Sequence, residues 1–158
     1  MNIDVDIGRQ QLSLFDNQTR LKQYVISTAK NGPGEKVGSE KTPRGQHIIR
    51  AKIGSGEAVN SVFIGRRATD EIYSTDLRTK EPGRDWILSR ILWLSGIEPG
   101  FNRLGDVDTM RRYIYIHGCP DDDELGIPGS HGCIKMRNND VIELFDLVLP
   151  GIPVLIHE

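Results

Sequence analysis

Apolar residues occupy alternate positions in the first stretches of the chain: Ile3, Val5 and Ile7, then Leu12 and Leu14, with polar residues between most of them. A period of two predicts strands with one buried and one wetted face. Asp16-Asn17 is a turn signal before a third strand near Leu21–Ser27, so the three runs predict an opening antiparallel meander. Gly32, Pro33, Gly34, Gly38, Pro43 and Gly45 mark residues 29–45 as loop. Further strands are predicted at His47–Ile53, at Ser61–Ile64 and, from β-branched and aromatic content, at Trp86–Leu94. The polar stretch Gly65–Asp85, broken by Pro82-Gly83, predicts a mobile surface excursion, and Asp106–Arg112 a helical turn. Tyr113–Ile116 reads as a central strand that ends at His117. Asn138 is a candidate N-cap for a helix with Val141, Leu144, Phe145 and Val148 on one face. Pro150-Gly151 stops it before a last strand, Pro153–Ile156.

Many short strands and one late helix predict a mainly β fold, and 158 residues predict a single domain over 1–158. A net charge of −2 gives no electrostatic footprint for nucleic acid, and no apolar run is long enough to span a bilayer. The opening residues MNIDVDIGRQ lack the basic start and apolar core of an export signal, which gives the expectation of a cytoplasmic protein with no membrane partner. Two cysteines cannot build a disulfide framework and fit a reducing compartment.

Chemistry concentrates in Tyr113–Met136, YIYIHGCPDDDELGIPGSHGCIKM. His117 stands at a strand end, and Ser130-His131-Gly132-Cys133 follows thirteen residues later. A cysteine in a glycine-bearing turn with a histidine from another element is the raw material of a thiol nucleophile and its base. A free thiol is a few per cent ionised at neutral pH, and an imidazole or a helix N-terminus raises that fraction. His117 or His131 and the helix from about Asn139 are the candidates for Cys133. His131 sits two residues from Cys133, an awkward spacing for a relaxed hydrogen bond, so His117 is the favoured base and His131 a structural or substrate-facing group. Glycine at 132 lets successive backbone N–H groups converge on a developing oxyanion.

Ile116-His117-Gly118 followed by Ser130–Met136 (SHGCIKM), with Thr42-Pro43-Arg44-Gly45 upstream, resembles the L,D-transpeptidase catalytic domain (YkuD) of bacterial peptidoglycan metabolism. The resemblance covers essentially the whole chain. It implies an L,D-transpeptidase-like catalytic fold of twisted mixed sheets with a short helix in the C-terminal half. It also implies attack by a cysteine on the bond between the third residue and the terminal D-Ala of a tetrapeptide stem. By position, Cys133 is the implied nucleophile and His117 the base, oriented by the carbonyl of Gly118, with the N–H groups of His131, Gly132 and Cys133 lining the oxyanion site. Muropeptide or peptidoglycan stems are the expected partners, carbapenems are expected to form a covalent adduct, and no cofactor or metal is expected. Three departures stand out: Cys119 after His-Gly, Lys135 two residues after the nucleophile, and only twelve residues between His117 and Ser130. Water is the expected acceptor, giving an L,D-carboxypeptidase of muropeptide recycling; cross-linking by transfer to an amine is the alternative.

Stem peptides carry carboxylates, so Arg112, Lys135 and Arg137 are substrate candidates, with Ser130 and Tyr115 beside them; Arg66 and Arg67, in the excursion, are weaker ones. Gly65–Asp85 is a candidate lid. His-Gly-Cys occurs twice, at 117–119 and 131–133, and admits a zinc-stabilised binding domain as a reading of another class. An inactive stem-peptide binder is a third. Cys119 is expected to fill space, or else to pair with Cys133 as a redox brake. The run Asp121–Glu124 is expected to be a solvated tip able to steer a cationic amine, and His47 and His157 to have no function.

Overall fold

The computed structural model describes residues 1–158. The opening alternation forms β1 (Asn2–Asp6), β2 (Gln11–Asp16) and β3 (Thr19–Ser27), paired antiparallel in sequence order. Their alternate apolar residues, among them Ile3, Val5, Leu12, Leu14 and Ile26, are fully buried. After the long loop come β4 (Gly45–Ile53), the hairpin of β5 (Ser61–Ile64) and β6 (Arg67–Ile72), a short helix α1 (Thr75–Lys80) and β7 (Ile87–Gly96). A 3-10 turn at Gly105–Val107 precedes β8 (Tyr115–Gly118), β9 (Ile134–Met136), helix α2 (Asn138–Leu147) and β10 (Pro153–His157).

All ten strands form one mixed sheet in the order β4-β10-β1-β2-β3-β9-β8-β7-β5-β6. A second pairing, β4 with β7, closes eight of them into a ring and leaves the β5–β6 hairpin outside. Ring closure pairs the eight strands with one another and leaves β6 as the sheet's edge strand. The two parallel pairs are β1–β10 and β8–β9; the second sets the site, because it lays His117 beside Lys135. Helix α2 packs on β7 and β8, and Val141, Leu144, Phe145 and Val148 join the main core as their spacing predicts.

Four expectations need correction. Gly65–Asp85 is a folded unit containing β6 and α1, not a mobile excursion. Tyr73 stacks edge-on against Trp86 at 5.1 Å within a small core completed by Val62 and Leu88, and Ser74 caps α1 by accepting the N–H of Leu77 at 3.1 Å. The central strand starts at Tyr115 rather than Tyr113; Tyr113 has φ +58°, far from the extended region. The helical turn lies one residue earlier than expected and is 3-10. Asn138 is the first residue of α2 and does not cap it; its amide donates to Cys119 O at 2.8 Å and its carbonyl oxygen accepts from Ser89 at 2.6 Å.

Candidate active site

The parallel register brings the two ends of the central segment together. Cys133 directly precedes β9 and lies next to Tyr115 of β8. The Tyr115 N–H donates to Cys133 Sγ at 3.3 Å, and the thiol donates to the carbonyl of Tyr113 at 3.4 Å. His117, two residues further along β8, shares a cavity of about 170 Å³ with Cys133. Asp85, Arg112, Tyr113, Ile114, Ser130, His131 and Lys135 complete its walls. His117 is buried, and its Nδ1 lies 2.7 Å from Gly118 O. A carbonyl only accepts, so Nδ1 carries the proton and Nε2 of the neutral ring is left as the acceptor.

Burial dominates the electrostatics. It pushes the Cys133 thiol up to about 12, with Asp85 adding to the rise and the Tyr115 N–H and Arg112 opposing it. Burial also holds the His117 imidazole below its ordinary value, against the pull of the Gly118 carbonyl and Asp85. At neutral pH the pair therefore rests as thiol and neutral imidazole, and the imidazole is free to take a proton. The start of α2 follows Arg137, at the far end of β9 from Cys133.

The turn before the thiol is held from two sides. Ser130 Oγ accepts the Gly132 N–H at 3.2 Å and donates to Cys133 O at 2.5 Å. Thr42 of the TPRG turn donates its hydroxyl to Gly132 O at 2.9 Å and accepts the Ala29 N–H at 2.9 Å. Gly132 has φ +133°, and a Cβ there would meet Ile114 and the Lys41 carbonyl at 3.2–3.3 Å. Because Ser130 already engages the Gly132 N–H, the expected trio of oxyanion donors reduces to His131 and Cys133, whose N–H groups have no partner in the fold.

The other predicted residues separate. Lys135 lines the cavity and pairs with Asp123 at 3.0 Å; His131 lines it and is exposed. Arg112 also lines it, but its guanidinium donates to Gly34 O, Glu35 O and Lys41 O, bracing the long loop. Ser130 is buried and acts as the strut just described. Tyr115 does not line the cavity: its side chain is buried with Phe63 and Ile91 in a cluster against which Cys133 packs, and its N–H bonds the thiol. Arg137 does not line the cavity; it donates to the carbonyls of Asp121 and Asp123. Asp122 and Asp123 are no solvated tip: both accept from Arg78, and Tyr73 donates to Asp122.

Cys119 is buried, donates to Met136 O at 3.3 Å, and is pushed up to about 11 by burial. Its N–H bonds Met136 O, which sets it level with Arg137, four residues from Cys133. Four residues of strand span roughly 13 Å, against an upper limit of about 7 Å between bridged Cα atoms, so no disulfide forms between the two. Nor do three His, Cys, Asp or Glu side chains gather as a metal site requires, so the zinc reading has no cluster to stand on. His47 and His157 have partners after all: His47 is fully buried between Gly45 O and Thr109, and His157 pairs with Asp4 at 2.9 Å.

Asp85, in the wall beside the thiol, carried no sequence signal beyond its charge. Arg66, a weaker substrate candidate from the sequence, does not line the thiol cavity. It stacks over Trp93 and Tyr113, 4.8 Å from each ring centre, and donates to the Tyr115 hydroxyl at 3.0 Å.

Residues 2–156 match the family profile of the L,D-transpeptidase catalytic domain, YkuD. Solved structures give the same fold. An L,D-transpeptidase from Mycobacterium smegmatis superposes with a TM-score of 0.64 at 19% identity, covering 99% of this chain and 58% of that one. L,D-transpeptidase 3 from Mycobacterium tuberculosis, in complex with a faropenem-derived adduct, gives 0.60 at 17%, with 99% and 60% covered. An L,D-transpeptidase in complex with imipenem gives 0.58 at 17%, with 99% and 58% covered. The chain thus spans about three fifths of the length of these proteins, and at such identities the likeness is one of fold. No curated protein sequence matches it.

Proposed function

Since this chain belongs to the family of L,D-transpeptidase catalytic domains, we propose that it is a cysteine acyl-transfer enzyme acting on peptidoglycan tetrapeptide stems, with Cys133 as nucleophile and His117 as general base. The observation that carries the reading is a thiol and an imidazole in one cavity, with the imidazole's Nδ1–H committed to Gly118 O. His117 Nε2 takes the thiol proton as Sγ attacks the carbonyl preceding the terminal D-Ala. The oxyanion that develops is met by the N–H groups of His131 and Cys133. The imidazolium then protonates the departing amine, leaving a thioester on Cys133 and free D-Ala.

Water resolves the thioester in this reading, giving L,D-carboxypeptidase activity. The support is that the thiol cavity and its neighbour, about 170 and 220 Å³, are small and lined mostly by charged and polar side chains. Transfer to an amine is the second reading, and Asp85 favours it: alone among the charged side chains of these two cavities it makes no hydrogen bond or ion pair, and a carboxylate beside the thiol attracts a cationic amine. The purified protein, given a disaccharide tetrapeptide, is expected to release D-Ala and leave the tripeptide. A cross-linked dimer as main product reverses the choice of acceptor, and no D-Ala release at all ends the proposal. A covalent adduct of a carbapenem on Cys133, read by mass spectrometry, is expected from the same nucleophile.

A further inference from the structure

A cavity of about 150 Å³ apart from the thiol is lined by Arg50, Arg103 and Arg111 together with Ser95, Leu104, Asp108 and Met110. We propose that these three arginines form a binding site for a dianionic phosphate group.

The three guanidinium groups come from separate places in the chain: Arg50 from β4, Arg103 from the loop after β7, and Arg111 from the approach to β8. None of the three side chains makes a hydrogen bond or ion pair within the protein. By contrast, Arg44, Arg78 and Arg84 are all paired with carboxylates. Arg50, Arg103 and Arg111 are all exposed to solvent, and an anion seated between them would offset their mutual repulsion. Asp108, the carboxylate in the wall, attracts Arg103 and Arg111 through space but bonds neither guanidinium: it is buried, and its two oxygens accept the N–H groups of Leu104 at 2.6 Å and Arg111 at 3.0 Å. Three guanidiniums and one carboxylate leave a charge of about +2, which a phosphate dianion balances and a single carboxylate does not. Guanidinium forks match the oxygens of a phosphate two at a time.

The frame behind the arginines is rigid. Asn102, next to Arg103, is fully buried; its amide donates to Arg44 O and Gln46 O at 3.0 Å, and its side-chain oxygen accepts the Glu98 N–H at 2.9 Å. Gly100 N–H bonds Arg103 O at 2.8 Å. Asp108 ties Leu104, which has φ +71°, to Arg111. Two of the three cations are therefore carried on backbone that is fixed before any ligand arrives, which lowers the ordering cost of binding. The site has its own residues and stands or falls independently of the thiol chemistry.

The test is a titration of the intact protein with inorganic phosphate, glycerol phosphate and, as the carboxylate control, acetate, at constant ionic strength, followed by amide NMR shifts. Saturable phosphate binding with Kd on the order of a millimolar is expected, with shifts confined to the backbone near 50, 95, 103 and 111. Arg50→Ala and Arg103→Ala are each expected to weaken it about tenfold while leaving D-Ala release unchanged, and Arg103→Lys to weaken it less. Tighter binding of glycerol phosphate than of inorganic phosphate marks a phosphate carried on a larger molecule, and equal binding marks the free ion. Equal responses to acetate and phosphate, no saturation, or affinity indifferent to both alanine variants overturns the proposal.

Discussion

The N–H of Tyr115 points at Cys133 Sγ from 3.3 Å, while the carbonyl of Tyr113 receives the same thiol at 3.4 Å. The sulfur is thus held by the backbone of a three-residue segment whose first member sits in left-handed conformation. Backbone bonds to Thr109, Met110 and Leu94 hold that segment, and Arg66 adds a side-chain clamp, stacked on Tyr113 and Trp93 and bonded to the Tyr115 hydroxyl.

Arg66 is accordingly a positioning residue. Arg66→Ala is expected to keep the fold and lower the rate of Cys133 acylation by about ten- to a hundredfold, with KM little changed. Arg66→Lys retains charge without the planar stack and is expected to recover only part of the loss. Stopped-flow acylation with a chromogenic β-lactam reads both; a rate equal to wild type in the alanine variant shows that the stack is decorative.

The pH dependence follows from two neutral partners. In the proposed mechanism the base form of His117 is the active one, and burial holds its pKa below 6.5, so kcat/KM is expected to stay level from neutral pH downward and to fall only once the pH drops under 6.5. The unassisted thiol, pushed up to about 12, is expected to react with iodoacetamide slowly at pH 7 and faster with rising pH in His117→Gln. Rapid alkylation of that variant at pH 6 means a preformed thiolate, and the general-base assignment falls.

The meander was legible because a period of two needs only local sequence, β5 because Val62, Phe63 and Ile64 form a short apolar run, and the meeting of Cys133 and His117 in one cavity because two motifs pointed to it. Other features were hidden by long-range geometry. The packing of Tyr73 on Trp86, which folds the 65–85 stretch, joins two residues thirteen positions apart with no local pattern linking them. Closure of the ring by β4 and β7 leaves no local mark on either strand. The roles of Arg112, Arg137 and Ser130 depend on backbone groups supplied by other turns, and every residue type has those.

His47 is predicted to make the fold sensitive to acid. It is fully buried, donates Nδ1–H to Gly45 O and accepts from the Thr109 hydroxyl, and burial lowers its pKa to about 4. Between pH 4 and 6.5 the unfolded chain binds more protons at this residue than the folded one. Stability is therefore complete above 6.5 and declines as the pH falls, by about 3 kcal/mol in all. Urea unfolding at pH 7 and pH 4 is expected to show a smaller pH difference in His47→Gln than in wild type; an equal difference assigns the acid sensitivity elsewhere.

Cys119 is predicted to be dispensable for redox response. Its distance along the strand from Cys133 forbids a bridge, and its buried thiol is un-ionised at neutral pH. Peroxide inactivation is expected to proceed at the same rate in Cys119→Ser as in wild type, by oxidation of Cys133 alone. Protection in the serine variant, or an intramolecular disulfide in the peptide map, contradicts the strand register.

Thr42 couples the long loop to the catalytic turn, and its substitution separates position from chemistry. Its hydroxyl is fully buried and makes two bonds, one to Gly132 O and one from Ala29 N–H. Thr42→Val keeps the shape, removes both bonds, and leaves a buried carbonyl and a buried N–H unpaired, at a cost of about 1–3 kcal/mol each. Stability is therefore expected to drop by a few kcal/mol. The Gly132 peptide is then held by Ser130 alone, so the His131 and Cys133 N–H groups lose their alignment. The rate of thioester formation is expected to fall about tenfold or more even at temperatures where the variant is fully folded. Thr42→Ser restores the hydroxyl and is expected to recover the rate with a smaller loss of stability. Because neither substitution touches the thiol or the imidazole, the pH at which activity declines is expected to stay where it is in wild type. A shifted acid limb in Thr42→Val means that the loop acts on His117 instead of on the oxyanion donors.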